Sequence, residues 1–148
     1  MYKDASELMS QCKEQNKRIW QIAVENEMKL TSSSYEDILS RFDDRLEIMF
    51  HSAQKALKVK QATKGGLIDG VAKTQYDYSK KENISGEYIN YVMSLAYSCS
   101  EVNASMGKIC ASPTAGSCGI VPAVLLGLSQ AKNISREKTL EGLITASA

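Results

Sequence analysis

Ile38, Phe42, Leu46, Met49, Ala53 and Leu57 recur at spacings of four, four, three, four and four, one apolar stripe sustained over about six helical turns. Only an α-helix brings such spacings onto one face, since a strand would throw successive members to opposite sides. A long helix with one dry side must bury it against other elements, which here means helices packed on helices. A start signal stands directly before the stripe. Ser33 or Ser34 can accept the first free backbone N–H groups, and Glu36 and Asp37 follow three residues on as capping-box partners.

The rest of the chain reads the same way. A first helix is predicted over residues 4–14 and a second over 17–29, where Ile19, Trp20, Ile22, Ala23 and Met28 make a broad apolar face. "KQATKGGLIDG" is a glycine-bearing loop, followed by a short helix from Val71 to Lys81 that closes at Asn83. Ser85 can cap a helix from Glu87 through Met106, on which Ile89, Val92, Ala96, Cys99 and Asn103 share a buried or cleft-facing stripe bordered by Tyr88, Tyr91 and Tyr97. Residues 120–131 form a strongly apolar helix, expected in the interior. Ser135 caps the last helix, which carries Leu140, Leu143 and Ile144 on one side and reaches Ala148 without a stop signal, as a truncated product or fragment would. No strand, repeat or low-complexity tract interrupts this pattern. The fold class expected is all-α: a multi-helix, bundle-like arrangement of about six to seven helices, with residues 1–148 as one domain.

Charge and composition exclude several functions. Eighteen Lys and Arg face seventeen Asp and Glu, so the formal charge of +1 offers no footprint for nucleic acid. The longest apolar run, Gly119 to Leu128, falls well short of the roughly 20 residues that span a bilayer, so no membrane partner is expected. The N-terminus is too charged and polar for a signal peptide, which places the chain in the cytoplasm with reduced thiols. Cysteines at 12, 99, 110 and 118 then suit thiol or metal chemistry rather than disulfides.

The least ordinary stretch is "CASPTAGSCGIVPAVLLGL", residues 110–128, a loop-to-helix motif centred on 110–122. Pro113 biases Ser112 toward extended geometry, and Gly116 and Gly119 let the backbone curl. Where such a loop meets a helix start, free N–H groups converge and the helix dipole adds positive potential, which suits a carboxylate or phosphate; Ser112, Thr114 and Ser117 add hydroxyls. The spacing fits equally a tight interhelical turn with Pro122 in the first helical turn. Cys118 stands where a helix N-terminus stabilises a thiolate, as a nucleophile or metal ligand needs. Cys12, Cys99 and Cys110 read instead as small buried apolar residues. No zinc spacing is present, His51 reads as structural or exposed, and Asp43 with Asp44 and Glu25 with Glu27 read as solvated helix faces.

"SEVNASMGKICASPTAGSCGIVPAVLLGL", residues 100–128, closely resembles the characteristic segment of the iron-sulfur-dependent L-serine dehydratases, specifically their alpha subunit or domain. The resemblance extends more loosely through "NKRIWQIAVENEM" and the long helix, and forward through "EKTLEGLITASA". It implies an all-helical alpha part holding a [4Fe-4S] cluster and a beta subunit or domain of alpha/beta type. Together these eliminate water from L-serine to give pyruvate and ammonia, by way of aminoacrylate, in an oligomeric enzyme. It implies that Cys118, in "GSCG", is a cluster ligand, and that further ligand cysteines come from a downstream motif outside these residues. Cys110, Cys12 and Cys99 match no ligand position, so this chain alone is expected to be apo. An iron left open to substrate would act as a Lewis acid on the serine hydroxyl while a base removes the α-proton. Thr114, Ala115, Gly116 and Ser117 are the expected contacts of the serine carboxylate, with Asn103 a nearby polar group; the general base is assigned to the beta part. Two other readings stand beside this one: an L-cysteine desulfidase on the same scaffold, and a helical interaction domain whose loop serves packing.

Overall fold

The computed structural model describes residues 2–148. Its helices are α1 (Ala5–Gln15), α2 (Ile19–Thr31), α3 (Tyr35–Lys58), α4 (Val71–Ser79), α5 (Glu87–Ala104), α6 (Ile120–Lys132) and α7 (Arg136–Ser147), with a single 3-10 turn at Ala115–Ser117. No strand occurs among the described residues, so the all-α expectation holds.

Local chemistry sets the boundaries. Ser34 caps α3: its hydroxyl accepts from Asp37 N at 3.1 Å while the Asp37 carboxylate accepts from Ser34 N at 3.4 Å, and Ser33 takes no part in the cap. Asn16 and Asn133 adopt left-handed backbone after α1 and α6, and Lys17 N and Ile134 N close back on Cys12 O and Ser129 O. Ser85 does not cap α5. The chain enters that helix through Gly86, at φ 80 and ψ 158, and the Gly86 carbonyl accepts from both the backbone and the side-chain amide of Asn90, which leaves Ser85 outside the first turn.

The long stripe runs under three sets of neighbours. Ile38 packs with Val24 of α2 and Ile144 of α7; Leu46 and Met49 pack with Leu143; Ala53, Ala56 and Leu57 meet Leu95 and Cys99 of α5 and Leu126 of α6. Where α3 crosses α5, the Ser98 hydroxyl donates to Ser52 O at 2.7 Å and accepts from Ala56 N at 2.9 Å. Both serines are fully buried, and this stitching satisfies polar atoms that burial would otherwise penalise.

Helix α6 runs antiparallel to α5 and unusually close to it. A Cβ on Gly127 would lie 2.6 Å from Val92 Cγ2, which would have to shift, and one on Gly119 would lie a tight 3.3 Å from Ala96 O, so glycine at 127 above all lets the helices approach. The expectation that α6 is interior needs correction: Pro122, Ala123, Leu126 and Gly127 are buried, but Ile120, Val124 and Leu128 are exposed. Helix α6 packs on α5, α3 and α7, and the row Ile120, Val124 and Leu128 is left exposed.

Candidate functional site

The predicted stripe on α5 is buried only where α6 covers it. Cys99 is fully buried, whereas Ile89 turns outward beside α6 and Asn103 emerges past its start, because Gly119 brings α6 against Ala96, Cys99 and Ser100 and no nearer to Asn103. Asn103 stands exposed on the last turn of α5, and its side chain forms no hydrogen bond to the loop. Just beyond it the helix closes as a Schellman motif: Gly107 N donates to Val102 O at 2.7 Å and Met106 N to Asn103 O at 3.0 Å. Met106 takes the left-handed position at φ 64, a conformation more commonly given to glycine or asparagine.

The chain then crosses to α7 and returns. Cys110 packs, half-buried, among Leu46, Met49 and Leu143, and burial raises its thiol pKa while Arg45 and Lys108 pull the other way. The buried Ser112 hydroxyl pairs with that of Ser147 on α7, and the Ser112–Pro113 peptide is cis. Thr114, Ala115 and Gly116 then protrude into solvent. The loop is curled by its own groups: Ser117 N donates to Thr114 O, Cys118 N donates to Ala115 O, and the Ser117 hydroxyl reaches both Ser112 O and Thr114 O at 2.7 Å. That hydroxyl's proton is thereby engaged within the loop. The backbone N–H groups of Ala115, Gly116 and Gly119 have no hydrogen-bond partner among the described residues. The loop is tied to α7 at Ser112 and pressed onto α5 at Gly119, while Thr114, Ala115 and Gly116 between them stay exposed.

Cys118 is half-buried at the junction of the 3-10 turn with α6, and Cys99 lies beneath it. The two thiols differ in character. Burial pushes the Cys99 pKa up to about 11, partly opposed by its contact with the Ser52 hydroxyl at 3.5 Å and reinforced by the nearby Cys118. Cys99 is therefore held as a neutral thiol within the packing of α3, α5 and α6. The folded state holds this proton to higher pH than the unfolded chain does. Its contribution to stability is therefore complete below pH 9.0 and is lost as pH rises through about 11. Urea unfolding should show the wild-type chain losing on the order of 2–3 kcal/mol more than Cys99→Ala across that window. Equal slopes in the two proteins would refute this assignment.

Among the described residues, no three His, Cys, Asp or Glu side chains gather where they could hold a metal ion. Cys118, a half-exposed thiol at a curled loop, fits one corner of a metal or cluster site. His51 is exposed beside Glu47 and Lys108, as expected. The carboxylates read as solvated faces are in part tied down: Asp43 accepts from Arg136 of α7 at 2.7 Å, and Glu25 from Lys17 at 2.6 Å.

Sequence reasoning missed Glu101, the most deeply buried carboxylate of the chain. It accepts from Ala72 N at 2.6 Å, Gly70 N at 3.2 Å and Gln61 N at 3.4 Å, so it caps the start of α4 from the side of α5. The available signal was a second stripe on α5: Ser94, Ser98 and Glu101, at spacings of four and three, form a small polar face turned inward.

Against known families, residues 14–148 match the model described as the serine dehydratase alpha chain. This chain belongs to the serine dehydratase alpha-chain family. It is 37% identical over 147 residues to the L-serine dehydratase alpha chain of Peptoniphilus asaccharolyticus, covering 99% of this chain and 50% of that protein. It is 34% identical over 148 residues to the probable L-serine dehydratase alpha chain of Bacillus subtilis, covering all of this chain and 49% of that one. A third relative, L-serine dehydratase 1 of Escherichia coli, is 28% identical over 129 residues, 84% of this chain and 28% of that protein. The chain thus spans about half the length of the two alpha chains it matches most fully. No solved structure matches it. Among the described residues, no helix is long and apolar enough to cross a membrane.

Proposed function

We propose that this alpha chain supplies the substrate-gripping loop and one iron ligand of an enzyme that eliminates water from L-serine, releasing pyruvate and ammonia. The observation that carries the reading is the pairing of a half-exposed Cys118 with adjacent unsatisfied backbone donors at Ala115, Gly116 and Gly119. Unpaired backbone N–H groups before a helix start favour a carboxylate, and a neighbouring thiol suits a soft metal. In this reading Ala115 and Gly116 bind the serine carboxylate through their N–H groups, and the Thr114 hydroxyl donates a further hydrogen bond. Ser117 keeps the loop curled by holding Ser112 O and Thr114 O. Asn103 offers an amide at the end of α5, and Cys118 holds one iron of a [4Fe-4S] cluster. When bound, that cluster supplies a Lewis acid to the substrate hydroxyl. The remaining ligands and the general base come from outside these residues, from the rest of the alpha chain and from a beta partner. The assembled enzyme is oligomeric and cytoplasmic.

The test is kinetic. In the complete enzyme, Thr114→Ala removes a hydrogen bond to a charged carboxylate, and KM for L-serine should rise about tenfold or more, with a smaller change in kcat. An unchanged KM would sink the loop assignment. Ammonia release measured with L-serine and L-cysteine in parallel should favour L-serine, and faster release from L-cysteine would turn the reading toward desulfuration.

A further inference from the structure

The hairpin of α5 and α6 is unlike the rest of the surface. From Tyr88 to Ser100 and from Ile120 to Ala131 there is no charged side chain. On its outer side α5 presents Ile89, Met93 and Tyr97 at intervals of four, and α6 presents Ile120, Val124 and Leu128 at the same interval. All six are between 37% and 64% exposed. Because the helices are antiparallel and drawn together at Gly119 and Gly127, the two rows lie side by side and make one continuous apolar strip. Elsewhere exposed apolar residues stand among charges: Leu30 follows Lys29, and Val59 lies between Lys58 and Lys60. Scattered residues of that sort need no explanation, whereas a contiguous uncharged strip marks a buried interface.

We infer that this strip is the seat of the alpha-chain segment lying outside the half matched here, docked through an uncharged apolar helical face. Three observations select that occupant. The alpha-chain relatives are about twice as long as the matched region, so a polypeptide of comparable size remains to be packed. A helix that is apolar all round, as α6 is, belongs to the interior of a larger unit. The strip also begins at Ile120, two residues after Cys118, so a segment docked on it would end next to the loop that carries that thiol. The inference rests on family membership and surface chemistry, and it stands whether or not the reaction is the one proposed above.

The experiment is co-expression of this chain with the portion of the Peptoniphilus asaccharolyticus alpha chain outside the matched 147 residues. The two should co-purify. Met93→Lys and Val124→Lys, each at an exposed position, should cut recovery of the partner about tenfold or more, while Leu30→Lys and Val59→Lys should not. Circular dichroism of each variant alone should show unchanged helix content and thermal midpoint, which separates lost docking from lost folding. The inference is overturned if no complex forms, if the strip variants bind as well as the parent, or if sedimentation shows the chain pairing with itself through these residues.

Discussion

Cys118→Ser in the complete enzyme should remain folded and lose its iron-sulfur chromophore. The side chain makes no hydrogen bond among the described residues and is half-exposed, so exchange of sulfur for oxygen leaves packing and thermal midpoint essentially intact. A serine hydroxyl is a poor substitute for a thiolate on iron, because thiolate softness is what selects this class of site. After anaerobic reconstitution with iron and sulfide, the brown colour should fail to develop, and serine dehydration should fall by ~100-fold or more. Cys110→Ser provides the control: that thiol packs against Leu46 and Met49 and should not alter the colour. Full iron stoichiometry in Cys118→Ser would remove the reading's central support.

Glu101→Ala carries the second large effect, on stability. Three backbone N–H groups, at Gln61, Gly70 and Ala72, depend on one fully buried carboxylate, and alanine would strand them in a cavity that replaces the side chain. Each buried donor left unpaired costs roughly 1–3 kcal/mol, and the void adds to that. A total loss on the order of 4 kcal/mol is expected, which for a chain of this size lowers the thermal midpoint by about 8–16 °C. The damage should begin at α4, whose amides are the groups released, and hydrogen exchange of residues 70–79 should rise before that of α3. A stability change below about 1 kcal/mol would mean that water replaces the carboxylate freely at this site.

How much of this was legible in advance depends on the range of the interaction. The six positions of the α3 stripe and the serine cap before it, at Ser33 or Ser34, are decided within a turn or two of chain, by the 3.6-residue period and by groups that reach their own backbone. Ser85 was misplaced as a cap because Gly86, one residue later, accepts the positive φ that the entry into α5 requires. The α6 helix was expected in the interior because its sequence is apolar on every side, yet α5, α3 and α7 cover only part of it and the row Ile120, Val124 and Leu128 stays exposed. Glu101 escaped notice because a lone acid on an amphipathic helix reads as solvent-facing until the chain 30 to 40 residues earlier is folded against it.

On its own, the amino-acid order determined the helical class, most helix limits and the family, since each rests on short-range periodicity or on a contiguous motif such as "SPTAGSCG". Tertiary packing alone decided which thiol is inert and which is accessible, because Cys99 and Cys118 differ in burial and not in residue type. It also decided that the Ser117 hydroxyl is consumed in shaping the loop while neighbouring N–H groups stay free, and that α5 and α6 leave an uncharged strip uncovered. The division has one physical reason. Desolvation and hydrogen-bond satisfaction depend on groups brought together from distant parts of the chain, and those neighbours exist only once it has folded.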